Sequence, residues 1–270
     1  MKRMWVLAVV SGAILLTGCA AGGGAGGGFG GGAVVAERPL LDLPPTNERE
    51  RGALVHVELG TAYFEVGRYD VALDEARIAL AHVPSFAPAF HLMGMVYMFI
   101  EDPAAARDNF RRALAAAPND PDFNNRYGWF LCLNGDEREG LERLDLAARN
   151  PYYRFPARPQ TNAGLCHLSK GQYEEAEPRF RRALALQGDN IVAQYGLAEV
   201  IYRKGDYAGA RRMLVALHQQ ADPTAESAWL GLRVERKLGN RAAEASYAAQ
   251  LEGRFKDSPQ YLQMKKGEYE

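Results

Sequence analysis

Most of the ingredients of a chemical active site are missing from this sequence. Its five histidines, His56, His82, His91, His167 and His218, are scattered over 270 residues. No two of them share a helix face at metal-ligand spacing, so no metal centre is read. No Gly-rich loop runs into a Lys-Ser or Lys-Thr pair, and the glycines between positions 22 and 32 have no strand or helix to frame them, which excludes the usual phosphate cradle. Acidic pairs such as Glu174-Glu175 fall at expected helix starts, where carboxylates favour the helix dipole. The expectation is a protein that is not an enzyme and has no cofactor and no small-molecule substrate. Charge of one sign is lacking as well. The formal net charge is −1, and −3 once Lys2 and Arg3 are removed, so no basic surface suits DNA or RNA. The apolar run near the start, Met4 to Leu16, is too short for a standard membrane span.

That short run follows Lys2 and Arg3, which is the layout of a signal peptide. It ends in Leu16-Thr17-Gly18-Cys19, which resembles the lipobox of bacterial lipoproteins, in which Cys19 becomes lipidated after cleavage before it. The other reading is a free Cys behind a plain secretory signal. On the lipobox reading residues 1–18 are the signal peptide, and several acyl chains make the anchoring effectively permanent. Ala20, rather than Asp, follows Cys19, which points to the outer membrane, with the protein facing the periplasm. Residues 19–46 are mostly Gly, Ala and Pro and read as a flexible tether; from Gly22 to Thr46 its reach is about 25 to 30 Å.

What the remainder has in abundance is self-similarity. The stretch Asp122 to Leu133, D-F-N-N-R-Y-G-W-F-L-C-L, places Phe123, Tyr127, Phe130 and Leu131 on one helix face, with Gly128 where a neighbouring helix can approach. Similar residues recur at a period of about 34: Phe90, Gly94, Tyr97, Ala106, Phe110, Ala113 and Pro118, and before them Gly60, Tyr63, Ala72, Ala76, Ala79 and Pro84. This is the pattern of the tetratricopeptide repeat (TPR). The expected fold is all-α, a right-handed superhelical solenoid of six helical hairpins over residues 47–270. The repeats fall at about 53–86, 87–120, 121–156, 157–190, 191–224 and 225–258. An insertion around Asn150 to Pro159 displaces the fourth. Gly67, Gly135, Gly171, Gly205 and Gly239 sit where each first helix must stop, a place that favours the left-handed conformation.

Two features point toward a binding role. With Cys19 lipidated, the exported chain keeps Cys132 and Cys166, one repeat apart on the first helices of adjacent hairpins. An oxidising periplasm would let them bridge, and the alternative is two buried small hydrophobes. The first helices also line the concave face, where the groove positions are Leu54, Val57, Thr61 and Phe64, then His91, Met95, Met98 and Phe99, then Asn125 and Trp129. This groove is unusually apolar, as a face that holds a partner's peptide would be, although some members can instead pack against neighbouring helices.

The runs N-N-R-Y-G-W-F-L-C from Asn124, N-P-Y-Y-R-F-P-A-R-P-Q-T-N-A-G-L-C from Asn150, A-W-L-G-L-R-V-E-R-K-L-G from Ala228 and F-K-D-S-P-Q-Y near the end resemble the type IV pilus biogenesis and stability lipoprotein family (PilW/PilF), over essentially the whole mature chain. The resemblance implies a six-repeat outer-membrane lipoprotein acting as a pilotin, which binds the secretin subunit and promotes its localisation and multimerisation for pilus assembly and twitching motility. It also implies a disulfide between the cysteines at 132 and 166, and partner binding by the N-terminal repeats. The Gly-rich tether and Lys256, where a Pro is common, depart from the shared pattern. The competing reading is a general TPR scaffold lipoprotein for cell-envelope assembly complexes.

Overall fold

The computed structural model describes residues 36–269. Among these residues there are thirteen α-helices and no strand, and twelve of the helices form six antiparallel hairpins. The hairpins are α1 (Glu48–Glu65) with α2 (Tyr69–His82), α3 (Ala87–Phe99) with α4 (Pro103–Ala116), α5 (Pro121–Leu133) with α6 (Glu137–Arg149), α7 (Ala157–Ser169) with α8 (Tyr173–Leu186), α9 (Ile191–Arg203) with α10 (Tyr207–Gln220), and α11 (Ala225–Lys237) with α12 (Arg241–Arg254). A last short helix, α13 (Pro259–Lys266), closes the stack. Successive first helices, α1, α3, α5, α7, α9 and α11, touch one another side by side, which makes the array a solenoid.

Each boundary has a local cause. Asp102, Asp120, Asn190, Asp206 and Asn240 accept the backbone N–H three residues on, at 2.7 to 3.3 Å, and so cap α4, α5, α9, α10 and α12. Pro103 and Pro121 occupy first-turn positions, where no backbone donor is required. The first helices stop at residues with positive φ: Gly67, Gly135, Gly171, Gly205 and Gly239 adopt φ of 71 to 87°. The second hairpin breaks the rule, because Glu101 takes this position at φ 61°. A small residue on a first helix meets a large one on a second helix, either of its own hairpin (Gly94 on α3 and Phe110 on α4) or of the one before (Gly196 on α9 and Phe180 on α8). A Cβ on Gly94 would lie 2.7 Å from Phe110, and one on Gly196 would lie 2.4 Å from Phe180, so glycine is what lets these rings sit at the helix crossings.

The cysteines are joined. Cys132 on α5 and Cys166 on α7 form a disulfide with their Cα atoms 5.5 Å apart, and it lies in a small core with Leu144 and Ala163.

At the C-terminus α13 seats Tyr261 and Met264 on Trp229, Leu232 and Leu251 and covers the open side of the sixth hairpin. At the other end, the stretch expected to run free to Thr46 is structured from Glu37 onward. Leu40 packs on the core of the first three repeats, and its N–H donates to the Asp120 carboxylate at 2.8 Å. Residues Leu40–Asp42 form a single 3-10 turn. The composition suggested a tether because of its Pro and Gly content, but Leu40, directly after Pro39, carries apolar surface that packs on the core of the array, while Leu41 and Leu43 stay exposed. Cys19 and the Gly-rich run lie outside the described residues.

Candidate partner-binding face

The apolar groove expected along the first helices divides in two. Val57, His91, Met95 and Asn125 are buried, so they do not form a solvated docking wall. The reason is geometric: neighbouring first helices pack side by side, and a residue at the seam belongs to the core as much as to the groove. His91 lies within that core, with its ring stacked on Phe123 at 4.5 Å and tilted against Phe110 at 5.9 Å. Burial pushes its pKa down to about 3, so the imidazole is neutral at any ordinary pH. Asn125 accepts from the Asn162 side-chain amide at 3.0 Å, and the Thr61 hydroxyl donates to the Val57 carbonyl at 2.8 Å. Trp129 packs over the disulfide. Leu54 lies at the far end, in an apolar cavity of about 340 Å³ that it shares with Leu40, Leu43, Phe86 and Pro88.

Phe64, Met98 and Phe99 are brought together at the edge where first helices turn into second helices. Phe64 meets Phe99 edge-on at 5.0 Å, and Tyr69 completes a triangle at 5.7 and 6.0 Å. Phe99 is nevertheless 52 % exposed, and beside it stand Val66 at 72 %, Ile100 at 44 % and Leu133 at 58 %. Met98, Phe130 and Leu133 line a cavity of about 430 Å³ at the same edge. The apolar surface is therefore a strip along the turns of the first three hairpins. Tyr69, Val66, Ile100 and Leu133 were not anticipated, although Ile100 lies one repeat period of 34 after Val66, and Leu133 one period after Phe99, which was a readable signal.

The strip ends abruptly. The residues that follow the first helices are Val66 and Ile100 in the first two repeats but Lys170 and Lys204 in the fourth and fifth, and Lys204 is held by Glu174 and Glu177 at 2.7 and 2.6 Å. Toward the C-terminus polar and aromatic side chains pair with one another and border a cavity of about 560 Å³. Arg233 is buried against Glu199 at 3.0 Å and stands over the Tyr202 ring at 4.9 Å, while Tyr269 stacks on Trp229 at 5.5 Å. Between these halves lies a polar cavity of about 430 Å³ whose walls carry both charges, Arg126 and Arg158 with Asp189, beside Asn125, Asn162 and Asn190.

Among the described residues no three His, Cys, Asp or Glu side chains are grouped so as to hold a metal, and no helix is long and apolar enough to cross a membrane.

Tetratricopeptide-repeat family models match residues 91–153 and 167–233. Type IV pilus assembly protein PilF of Pseudomonas aeruginosa is 27 % identical over 213 residues, which is 79 % of this chain and 84 % of PilF. The solved structure of P. aeruginosa PilF superposes with a TM-score of 0.73 at 26 % identity, over 82 % of this chain and all of that one. The crystal structure of PilW, a widely conserved type IV pilus biogenesis factor, superposes with a TM-score of 0.73 at 27 % identity, over 79 % of this chain and 98 % of that one.

Proposed function

We propose that this chain, a tetratricopeptide-repeat protein matching PilF and PilW in sequence and in structure, is a pilotin: an outer-membrane lipoprotein of type IV pilus biogenesis, anchored through Cys19 and facing the periplasm. It is a non-catalytic scaffold that holds a segment of the secretin subunit and promotes the secretin's localisation and multimerisation.

The observation that carries this reading is the clustering of four exposed large apolar side chains, Val66, Phe99, Ile100 and Leu133, around the Phe64–Tyr69 aromatic pair along the turn edge of the first three repeats. An exposed strip of aromatic and aliphatic side chains has a solvation cost that a partner removes, and an extended or amphipathic segment can lay alternate side chains along it. The likeness to PilF and PilW supplies the biological setting, and the N-terminal position of the strip agrees with the partner-binding half that the family resemblance implies.

The test is a paired substitution, Phe99→Ser with Leu133→Ser, at two positions more than half exposed, so that the hairpins keep their packing. Anchors of this kind contribute about 2 kcal/mol each, close to a thirtyfold loss of affinity per residue. The expected result is loss of secretin multimers from the outer membrane, of surface pili and of twitching, with an unchanged helical circular dichroism spectrum. Normal multimers from the folded variant refute the proposal.

A further inference from the structure

Opposite the turn edge lies the edge formed by the loops that lead from each second helix to the next first helix. Helices of thirteen residues separate the two edges by about 20 Å. The segment after residue 36 is strapped along this loop edge. The Asn150 side-chain amide donates to the Glu37 carbonyl at 2.9 Å, the Asn119 amide donates to the Glu37 carboxylate at 3.2 Å, and Arg154 pairs with Asp42 at 2.9 Å. The chain that leads back to Cys19 therefore leaves the folded part from one fixed place.

That place is chemically distinctive. The insertion between α6 and α7 presents Tyr152 at 48 % and Phe155 at 41 % exposure. Arg38 stands over the Tyr152 ring at 5.6 Å, and Arg158 over the Phe155 ring at 3.8 Å with Arg154 at 5.9 Å. Leu41 and Leu43 on the strap are also exposed. Three guanidinium groups thus surround two open aromatic rings, and the acidic neighbours are engaged: Glu37 by Asn119, Asp42 by Arg154, and Asp122 by the Tyr153 hydroxyl and the Arg158 charge. Aromatic rings with one wet side, interleaved with arginines whose stems lie on them, are the side chains that settle at a headgroup boundary.

We propose that this loop edge, centred on Tyr152, Phe155 and Arg38, is a membrane-contact patch that seats on an anionic lipid surface and sets the orientation of the solenoid. The occupant follows from the chain path. Seventeen residue steps separate Cys19 from Ala36, no more than about 60 Å fully extended, so a lipid-anchored molecule holds this edge beside its own bilayer. At the roughly millimolar effective concentration such a tether gives, even a weak patch is occupied. The patch then leaves the apolar turn edge directed away from the bilayer. This inference rests on the lipid anchor proposed above.

The test uses the lipidated full-length chain in vesicles of phosphatidylethanolamine and phosphatidylglycerol containing brominated lipid, with Tyr152→Trp or Leu133→Trp as a fluorescent reporter read against the parent. The patch requires blue-shifted emission and quenching at position 152 but not at 133, weakened by raised salt and by replacing phosphatidylglycerol with phosphatidylcholine. Equal emission at the two positions overturns it. Radiolabelled palmitate incorporation, compared with Cys19→Ala, separates this failure from failure of the anchor. If the chain takes up no palmitate, the patch stands only if soluble protein mixed with the same vesicles is still quenched at 152, and it falls otherwise. If Tyr152→Ser with Phe155→Ser loses secretin in detergent extract, where no bilayer is present, the face takes protein and the proposal falls.

Discussion

Removing the Cys132–Cys166 bridge is expected to weaken this protein at one known junction. The bridge closes a loop of 34 residues and ties α5 to α7. In the chain-entropy model, a loop of this size stabilises the folded state by about 4 kcal/mol. Both sulfurs are buried, so replacing each Cys by Ala adds a small loss of packing. Since a domain of this size loses about 2 to 4 °C per kcal/mol, the Cys132→Ala, Cys166→Ala chain should melt on the order of 10 °C lower than the oxidised parent. A solenoid distributes stability among nearest neighbours, so the damage should be local. Amide exchange should rise in α5, α6 and α7 and change little in α10, α11 and α12. Thermal melts by circular dichroism and exchange by mass spectrometry check the two parts. A melting point within about 2 °C of the parent would refute the entropic account, since 4 kcal/mol cannot vanish into so small a shift. Exchange that rises evenly along the chain would refute the nearest-neighbour account.

Two further outcomes follow from individual residues. Glu101→Gly should stabilise the protein by about 0.5 to 1 kcal/mol in chemical denaturation, because φ 61° costs a side chain what glycine avoids; destabilisation would show that the Glu101 side chain is held by something worth more than the strain. His91 carries a pH dependence: its folded pKa near 3 lies below the unfolded value of 6.5, so its contribution is present above pH 6.5 and is lost as pH falls toward 3, by about 2 kcal/mol at pH 5. Asp120, raised by burial to about 6, has the opposite sign and gains stability as pH falls from 6 toward 3.8, so the test compares parent with His91→Leu and expects the acid loss between pH 7 and 5 to shrink; an identical slope in the variant would be the contrary result.

The repeat was legible because each hairpin must satisfy the same three demands: a small residue at the helix crossing, a left-handed stop and an apolar stripe. Gly94, Gly196 and the turn glycines announce those demands in sequence. Glu101 does not, since it follows the rule's geometry without its residue type. The face of a first helix was less legible. Residues three and four apart share a stripe, but whether the stripe meets a neighbour or water depends on the stacking angle, which a single helix does not encode. That is why His91 and Met95 are core while Phe99, on the same helix, is open. The helix α13 carried an unused signal: Ser258 caps Tyr261 at 3.1 Å, Pro259 takes the first turn and Gly267 ends the helix at φ 75°. The strap of residues 37–42 had a weaker one, the apolar Leu40 to Leu43 among prolines, and its acceptor Asp120 lies 80 residues away.

The distribution of charge and exposed apolar surface gives the solenoid a direction that its symmetric repeats lack. Every repeat builds the same two edges, yet Val66, Phe99, Ile100 and Leu133 gather exposed apolar surface on the turn edge of the first three, where the fourth and fifth present Lys170 and Lys204. The junction after the third carries the aromatic and arginine insertion. In the last two repeats the first helices are pinned by a buried ion pair, Arg233 against Glu199, and by Tyr269 stacked on Trp229, which border a cavity of about 560 Å³. Removing one partner of such a buried pair leaves an uncompensated charge, which fixes the packing there. The N-terminal half keeps its apolar turn edge open, and the strap along its other edge begins the chain that leads to Cys19. The two proposals use opposite edges of this half, about 20 Å apart, so one edge can face lipid while the other holds a secretin segment without competition.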